Sequence, residues 1–337
     1  MADDEQIEPP PTGHRGVSVE AERGAAMGPE EAVAAMRINI PARRNRILRE
    51  VVARANADVS LRAWWHVANV NAVRRMRIND HSWVHIQVVA NIALKLLRDL
   101  VRKGAKAGMV DDYGMTNEDA EVVVVLGALW HCVGMAVHRR GHEDWSLFMA
   151  ADRLPDMLEG LYEEPMRTVV IAEVLQCITS HRADGEPLSL EAGVVRVADA
   201  LDMAKGRSRI PFAEGRTSIH SLSAAAIETV TIRDGVERPI MVEIEMNNSA
   251  GVYQIDELLR KKLRGSGLEN WIEVFAHIDG ESEKLLVPVV RLLGADDRPP
   301  RPRGRSGPAA CRVPYAGSRT SSIVEQWMPP PPFWISS

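Results

Sequence analysis

The chain is poor in cysteine: three in 337 residues, far apart. That excludes a disulfide scaffold and a four-cysteine zinc cage. Basic charge is not in excess either, with 41 Lys and Arg against 46 Asp and Glu and a net charge of −5. A surface coated for a nucleic acid duplex is therefore not expected. The N-terminus, MADDEQIEPPPTG, has no basic segment followed by an apolar run, so no cleaved secretory signal is expected. The longest uncharged stretch, from Val122 to Val137, is shorter than the ~20 residues of a membrane helix and contains His131. No repeat at solenoid periods is present.

A hydrophobic content of 45% is enough to fill a sizeable core. At roughly 100–200 residues per domain, the length suggests about two domains plus extensions. These absences and contents together point to a soluble, reducing, cytoplasmic chain that does not engage membranes.

Charge divides the chain. Residues 1–35 hold eight acids and two bases, and residues 298–337 hold six arginines, one glutamate and nine prolines, which leaves the middle at −4. Such ends bury too little apolar surface to offset the entropy of ordering. The expected organisation is a disordered acidic head over 1–37, a helical domain over 38–212, a small α+β domain over 213–292 and a disordered Pro/Arg-rich tail over 293–337.

Within 38–212 the apolar period is helical. Asp80 is expected to cap a helix from His81, with Val88, Val89, Ile92, Leu96 and Leu100 on one face. Thr116 with Asp119 resembles a capping box before Val122–Trp130. Pro165 suits the first turn of a helix with Val170, Val174, Cys177, Ile178 and His181 on its inner face. Ser189 suits the cap of the next. After Pro211 the period becomes two. Thr229–Ile232 and Ile240–Met246 flank an Asp234-Gly235 turn, a helical stripe follows at Ile255, Leu258, Leu259 and Leu263, and Ile272, Val274, Ala276 and Ile278 alternate again. This predicts a β-β-α-β unit.

Seven of the ten histidines fall between His66 and His181. His81 and His85 share a helix face. His131 and Cys132 end a long apolar helix, His138 and His142 follow, and His181 ends another. Asp199 interrupts the apolar run VRVADALD. Several imidazoles at the ends of apolar helices are costly to bury unless something satisfies them, and a metal ion does so economically. Nitrogen with carboxylate suits a divalent transition metal, Mn, Fe, Ni, Co or Zn.

The ordered set His85, His131-Cys132, His142, His181, Asp199 resembles the HD superfamily of metal-dependent phosphohydrolases and phosphodiesterases. His85-Ile-Gln-Val-Val-Ala is similar to that family's first His with its Val-Ala pair. His131-Cys-Val-Gly-Met is similar to the His-Asp doublet, and Ser180-His-Arg-Ala-Asp-Gly-Glu-Pro-Leu to the turn of the two-metal branch. Arg196-Val-Ala-Asp-Ala-Leu-Asp is similar to the final Asp helix. The resemblance covers roughly 78–210 and implies an all-helical fold. The β-β-α-β unit resembles a small domain appended in some bacterial and archaeal members.

The resemblance also implies roles. His85, His131 and Asp199 would hold one metal, and His142 and His181 a second. His131, Cys132 and Asp199 would form the catalytic group, with His81 and His138 orienting neighbouring ligands. His81 could instead replace His85 as a ligand. Arg182, Lys205 and Arg207, with Arg209 nearby, would neutralise the phosphate of a nucleotide-like small molecule. The chain departs from the pattern at Cys132, which stands where the family has Asp. A soft sulfur there suits Zn or Fe(II), or marks a module that binds a nucleotide or a partner without turnover. Trp64, Trp65 and Trp83 are read as core and Asn247–Gly251 as a capped loop. The open strand edges of the small domain would permit a homo-oligomer.

Overall fold

The computed structural model describes residues 28–204 and 223–278. The acidic stretch before residue 28, Lys205, Arg207, Arg209, His220, and the Pro/Arg-rich tail with Cys311 lie outside the described residues. The protein is mainly α: a helical bundle carries a small three-stranded sheet.

Helix α1, Pro29–Ala35, buries Val33. It lies inside the stretch 1–37 that composition reads as disordered, so this part of that stretch is helical, contrary to expectation. Helices α2 (Arg46–Ala57) and α3 (Val59–Asn69) are capped by Asn45 and Asp58, whose side chains accept from Leu48 and Leu61 N–H. Trp65 is core, donating its indole N–H to Leu129 O at 3.1 Å.

Helix α4 spans Trp83–Arg102. Its cap is Ser82 rather than the expected Asp80: Ser82 Oγ accepts from Val84 N–H, and Asp80 instead receives the Ser82 hydroxyl at 2.7 Å. A short helix α5, Gly108–Asp111, follows, with the buried Glu191 carboxylate accepting its first N–H groups at 3.0 Å. Helix α6, Asn117–Trp130, opens on the capping box of Thr116 and Asp119. It is apolar on every side because it is the centre of the bundle, contacted by α2 and α4 and by two later helices. Asn117–Ala136 is long and apolar enough to cross a membrane, but most of it is buried inside the bundle.

Helix α7, His142–Leu158, starts after Gly141, whose φ of 67° falls in the left-handed region. Helices α8 (Met166–Ser180) and α9 (Leu190–Leu201, capped by Ser189) complete the bundle. Helix α9 packs on α4, α6 and α8.

Strands β1 (Ile227–Asp234) and β2 (Ile240–Met246) are antiparallel, and β2 pairs in parallel with β3 (Ile272–Ile278). The parallel pair requires a crossover, supplied by a helical segment over 249–263, here α10, which Asn248 caps. Ile240, Val242, Ile244 and Met246 are buried and alternate with half-buried neighbours. The expected buried face of β3 is not formed, since Ile272 is buried while Val274 and Ile278 are exposed. Buried residues of the sheet join the core of the bundle.

Candidate metal centre

The site is made of helix ends. His85 lies in the first turn of α4, His131 caps the C-terminus of α6, His142 opens α7, His181 caps the C-terminus of α8, and Asp199 sits in the last turn of α9. The packing of α4, α6, α8 and α9 on one another, and of α7 on α8, brings these ends together. The imidazoles form a line from His81 through His85, His131 and His181 to His142, with successive ring centroids 5.4, 5.2, 5.0 and 5.2 Å apart.

One device orients three of the rings. His131, His181 and His142 each place Nδ1 on the carbonyl three residues earlier: Ala128 O at 2.7 Å, Ile178 O at 2.6 Å and Arg139 O at 3.1 Å. Ala128 and Ile178 lie in the last turns of α6 and α8, where carbonyls lack an intrahelical partner, and Arg139 lies in the turn before α7. A carbonyl only accepts, so Nδ1 carries the proton and Nε2 presents a lone pair. His85 is oriented differently. Its Nδ1 lies 2.6 Å from Asp202 Oδ2, at the C-terminal end of α9.

The freed Nε2 atoms converge. His85 Nε2 and His131 Nε2 are 3.2 Å apart, and Asp199 Oδ1 lies 3.5 and 3.7 Å from them. His142 Nε2 and His181 Nε2 are also 3.2 Å apart. Lone pairs facing one another at that distance require a cation or a shared proton between them. Neighbouring ligands bound at about 2.1 Å to one ion stand about 3.0–3.4 Å apart, which fits the two 3.2 Å nitrogen pairs, while the Asp199 oxygen stands slightly further out. Cys132 is buried, and ligand atoms of His85, His131 and Cys132 all lie within 4.8 Å of one another.

The electrostatics agree. Burial opposes charge on His131, yet the Cys132 sulfur and the Asp199 carboxylate outweigh it and raise its pKa to about 10. The same field favours a metal cation. Burial holds His181 well below the ordinary imidazole value, with the charges of His131, His142 and Lys262 adding to it. His142 is lowered too, again chiefly by burial.

A second set of bonds fixes the turn after His131. Ser146 Oγ donates to His131 O at 3.0 Å and accepts from Gly134 N–H at 2.8 Å. This ties α6 to the start of α7. A Cβ at Gly134 would collide with His142 O and Ser146 N, so only glycine permits the approach.

An HD domain model matches residues 81–204. An uncharacterized protein of Methanocaldococcus jannaschii is 41% identical over 215 residues, 64% of this chain and 83% of that protein. The chain belongs to the HD-domain family. HD domains bind divalent metals, and the family is one of metal-dependent phosphohydrolases. No solved structure gives a significant match.

In this HD-domain protein the structure brings together His85, His131, Cys132, His142, His181 and Asp199. His81 packs on His85 with Nδ1 2.7 Å from Asn79 O. His138, expected to orient a ligand, is instead exposed, its Nδ1 accepting from Arg140 N–H at 2.9 Å within its own turn. The Gly141 turn separates it from His142. Arg182 stands at the rim between Glu143 and Asp184, at 3.4 and 3.3 Å.

Sequence reading missed four residues. Asp202 was signalled by its place three residues after Asp199, on one helix face. Ser146 was signalled by position i+4 from His142. Arg196 and Lys262 carried no local signal. Lys262, from α10, pairs with Asp199 Oδ2.

Proposed function

We propose that this protein is a cytoplasmic, metal-dependent phosphohydrolase acting on a nucleotide-like phosphate mono- or diester. One observation carries the reading. Four histidines have Nδ1 engaged by an acceptor, while their Nε2 atoms meet in two pairs of 3.2 Å, one of them beside Asp199. His85, His131 and Asp199 would hold one divalent transition metal, Mn, Fe, Ni, Co or Zn, with Cys132 adjacent. His142 and His181 would hold a second ion.

When bound, such an ion lowers the pKa of a coordinated water towards about 7 and polarises the phosphoryl group. The chain supplies the rest. Asp202 fixes the His85 ring, and the carbonyls of Ala128, Ile178 and Arg139 fix the others, so the donors are preorganised. Arg182, at the rim and shared between two acids, would meet a phosphate oxygen arriving from solvent. The partners proposed are a phosphorylated small molecule and a second copy of the chain through the sheet edges, with no membrane and no nucleic acid duplex.

The test is hydrolysis of generic phosphomonoester and phosphodiester substrates by purified protein, with each of Mn, Fe, Ni, Co and Zn added. Metal-dependent release of phosphate or alcohol is expected. Inertness across the whole series would remove the reading.

Cys132 favours a second reading, a module that binds a nucleotide or partner without turnover. A sulfur offers one soft donor where a carboxylate offers two hard oxygens. Activity that arises only after Cys132→Asp would favour it. Activity already present in the unaltered protein would exclude it.

A further inference from the structure

Lys262 reaches the metal centre from the α+β unit. Its side chain and that of Asp199 are each 12% exposed, and its ammonium pairs with Asp199 Oδ2 while Oδ1 faces His85 and His131. The two oxygens thus have separate partners, and the lysine does not displace the histidine face. Lys262 is held there by Arg196, one turn before Asp199 on α9. Arg196 is buried and donates to the carbonyls of Lys261 and Arg264 at 3.3 and 3.2 Å, closing the end of α10. It also donates to Ala183 O at 2.9 Å and to Gly185 O, in the loop that follows His181 and Arg182. One guanidinium therefore fixes both segments that bring cations to the site. At Gly193 the approach is so close that a Cβ would collide with Ser266 O.

Docking alone does not call for Lys262. Arg196 and the buried Leu259 and Leu268 already attach the segment, and an apolar side chain would avoid the cost of desolvating an ammonium. We infer that Lys262 is a substrate-phosphate ligand of this site, delivered by the α+β unit, with Arg196 as its positioning residue. The inference rests on the phosphohydrolase reading. A cation that binds Asp199 takes over the carboxylate charge that Lys262 faces, which leaves a compact ammonium for a phosphate oxygen.

The experiment is calorimetric titration of full-length, Mn-loaded protein with inorganic phosphate, together with Mn content and thermal melting. Lys262→Met should keep Mn and fold and lose phosphate affinity by about tenfold or more. Lys262→Arg should keep most of it. Should Lys262→Met fail to fold, Lys262→Gln gives the same comparison. Equal affinity in the substituted and unaltered proteins overturns the inference. So does loss of Mn together with phosphate, or no phosphate binding by the unaltered protein. Phosphate binding that depends on Lys262 in a protein that hydrolyses nothing supports the inference while removing the phosphohydrolase reading.

Discussion

Asp202 Oδ2 lies 2.6 Å from His85 Nδ1, joining the end of α9 to the first turn of α4 across 117 residues. The contact assigns the ring. With Nδ1–H given to the carboxylate, Nε2 faces His131 and Asp199 as a donor of electrons. Carboxylates that orient a metal-bound histidine in this way typically matter 10–100-fold to metal affinity. Asp202→Asn should keep the fold and weaken binding of the first metal by about that factor, read by competition with a chelating dye. Unchanged affinity would show that Asp202 does not set the ring.

Ser146 and Gly134 should be as important to the site as its ligands. Ser146→Ala leaves the buried Gly134 N–H and His131 C=O without their partner, at about 1–3 kcal/mol for each orphaned group. Gly134→Ala forces α7 away from the His131 turn, and overpacking of this kind costs about 1–3 kcal/mol or more. Both should lower the melting temperature and the metal content together. A variant that loses neither would contradict the account of how His131 and His142 are brought together.

Much of this was legible because its causes are local. The capping box of Thr116 and Asp119 and the apolar face of α4 are short-range, and so is the alternation of β2. The order of His85, His131, His142, His181 and Asp199 shows the ligands because each must stand at a helix end. What was not legible depends on distant partners. Lys262 meets Asp199 across 63 residues, and Arg196 closes the end of α10 across a similar span. The alternating apolar residues of β3 suggest a buried face, yet they lie in a strand at the edge of the sheet, where Val274 and Ile278 stay exposed. The start of α4 shifted because Ser82 competes with Asp80 for the cap.

The metal-free protein should lose stability in acid. Burial holds His142 and His181 below the ordinary imidazole value in the folded state. The unfolded chain then takes up protons near pH ~6.5 that the folded chain does not. Their contribution is therefore full above that pH and falls as pH drops through it towards the folded values. His131 works in the opposite sense. Raised to about 10, its contribution is full below the unfolded value and is lost as pH rises through about 10. Melting of the metal-stripped protein should fall between about pH 7 and pH 5. The double substitution His142→Gln, His181→Gln should flatten that fall. An equally steep fall in the variant would assign it to other groups.

Cys132→Asp should change which metal the centre prefers. A second hard oxygen donor beside His85 and His131 favours Mn over Zn relative to the thiolate. Competition between the two ions, read by elemental analysis, should move towards Mn. An unchanged ratio would show that the sulfur does not take part in binding.

The central claim is that His85, His131 and Asp199 hold a divalent cation. Elemental analysis of the protein as purified, beside the double substitution His85→Ala, His131→Ala, tests it most directly. The account predicts at least one transition-metal ion per chain in the unaltered protein and its loss in a variant that still folds. An unaltered protein that carries no metal and takes up none of Mn, Fe, Ni, Co or Zn would contradict it.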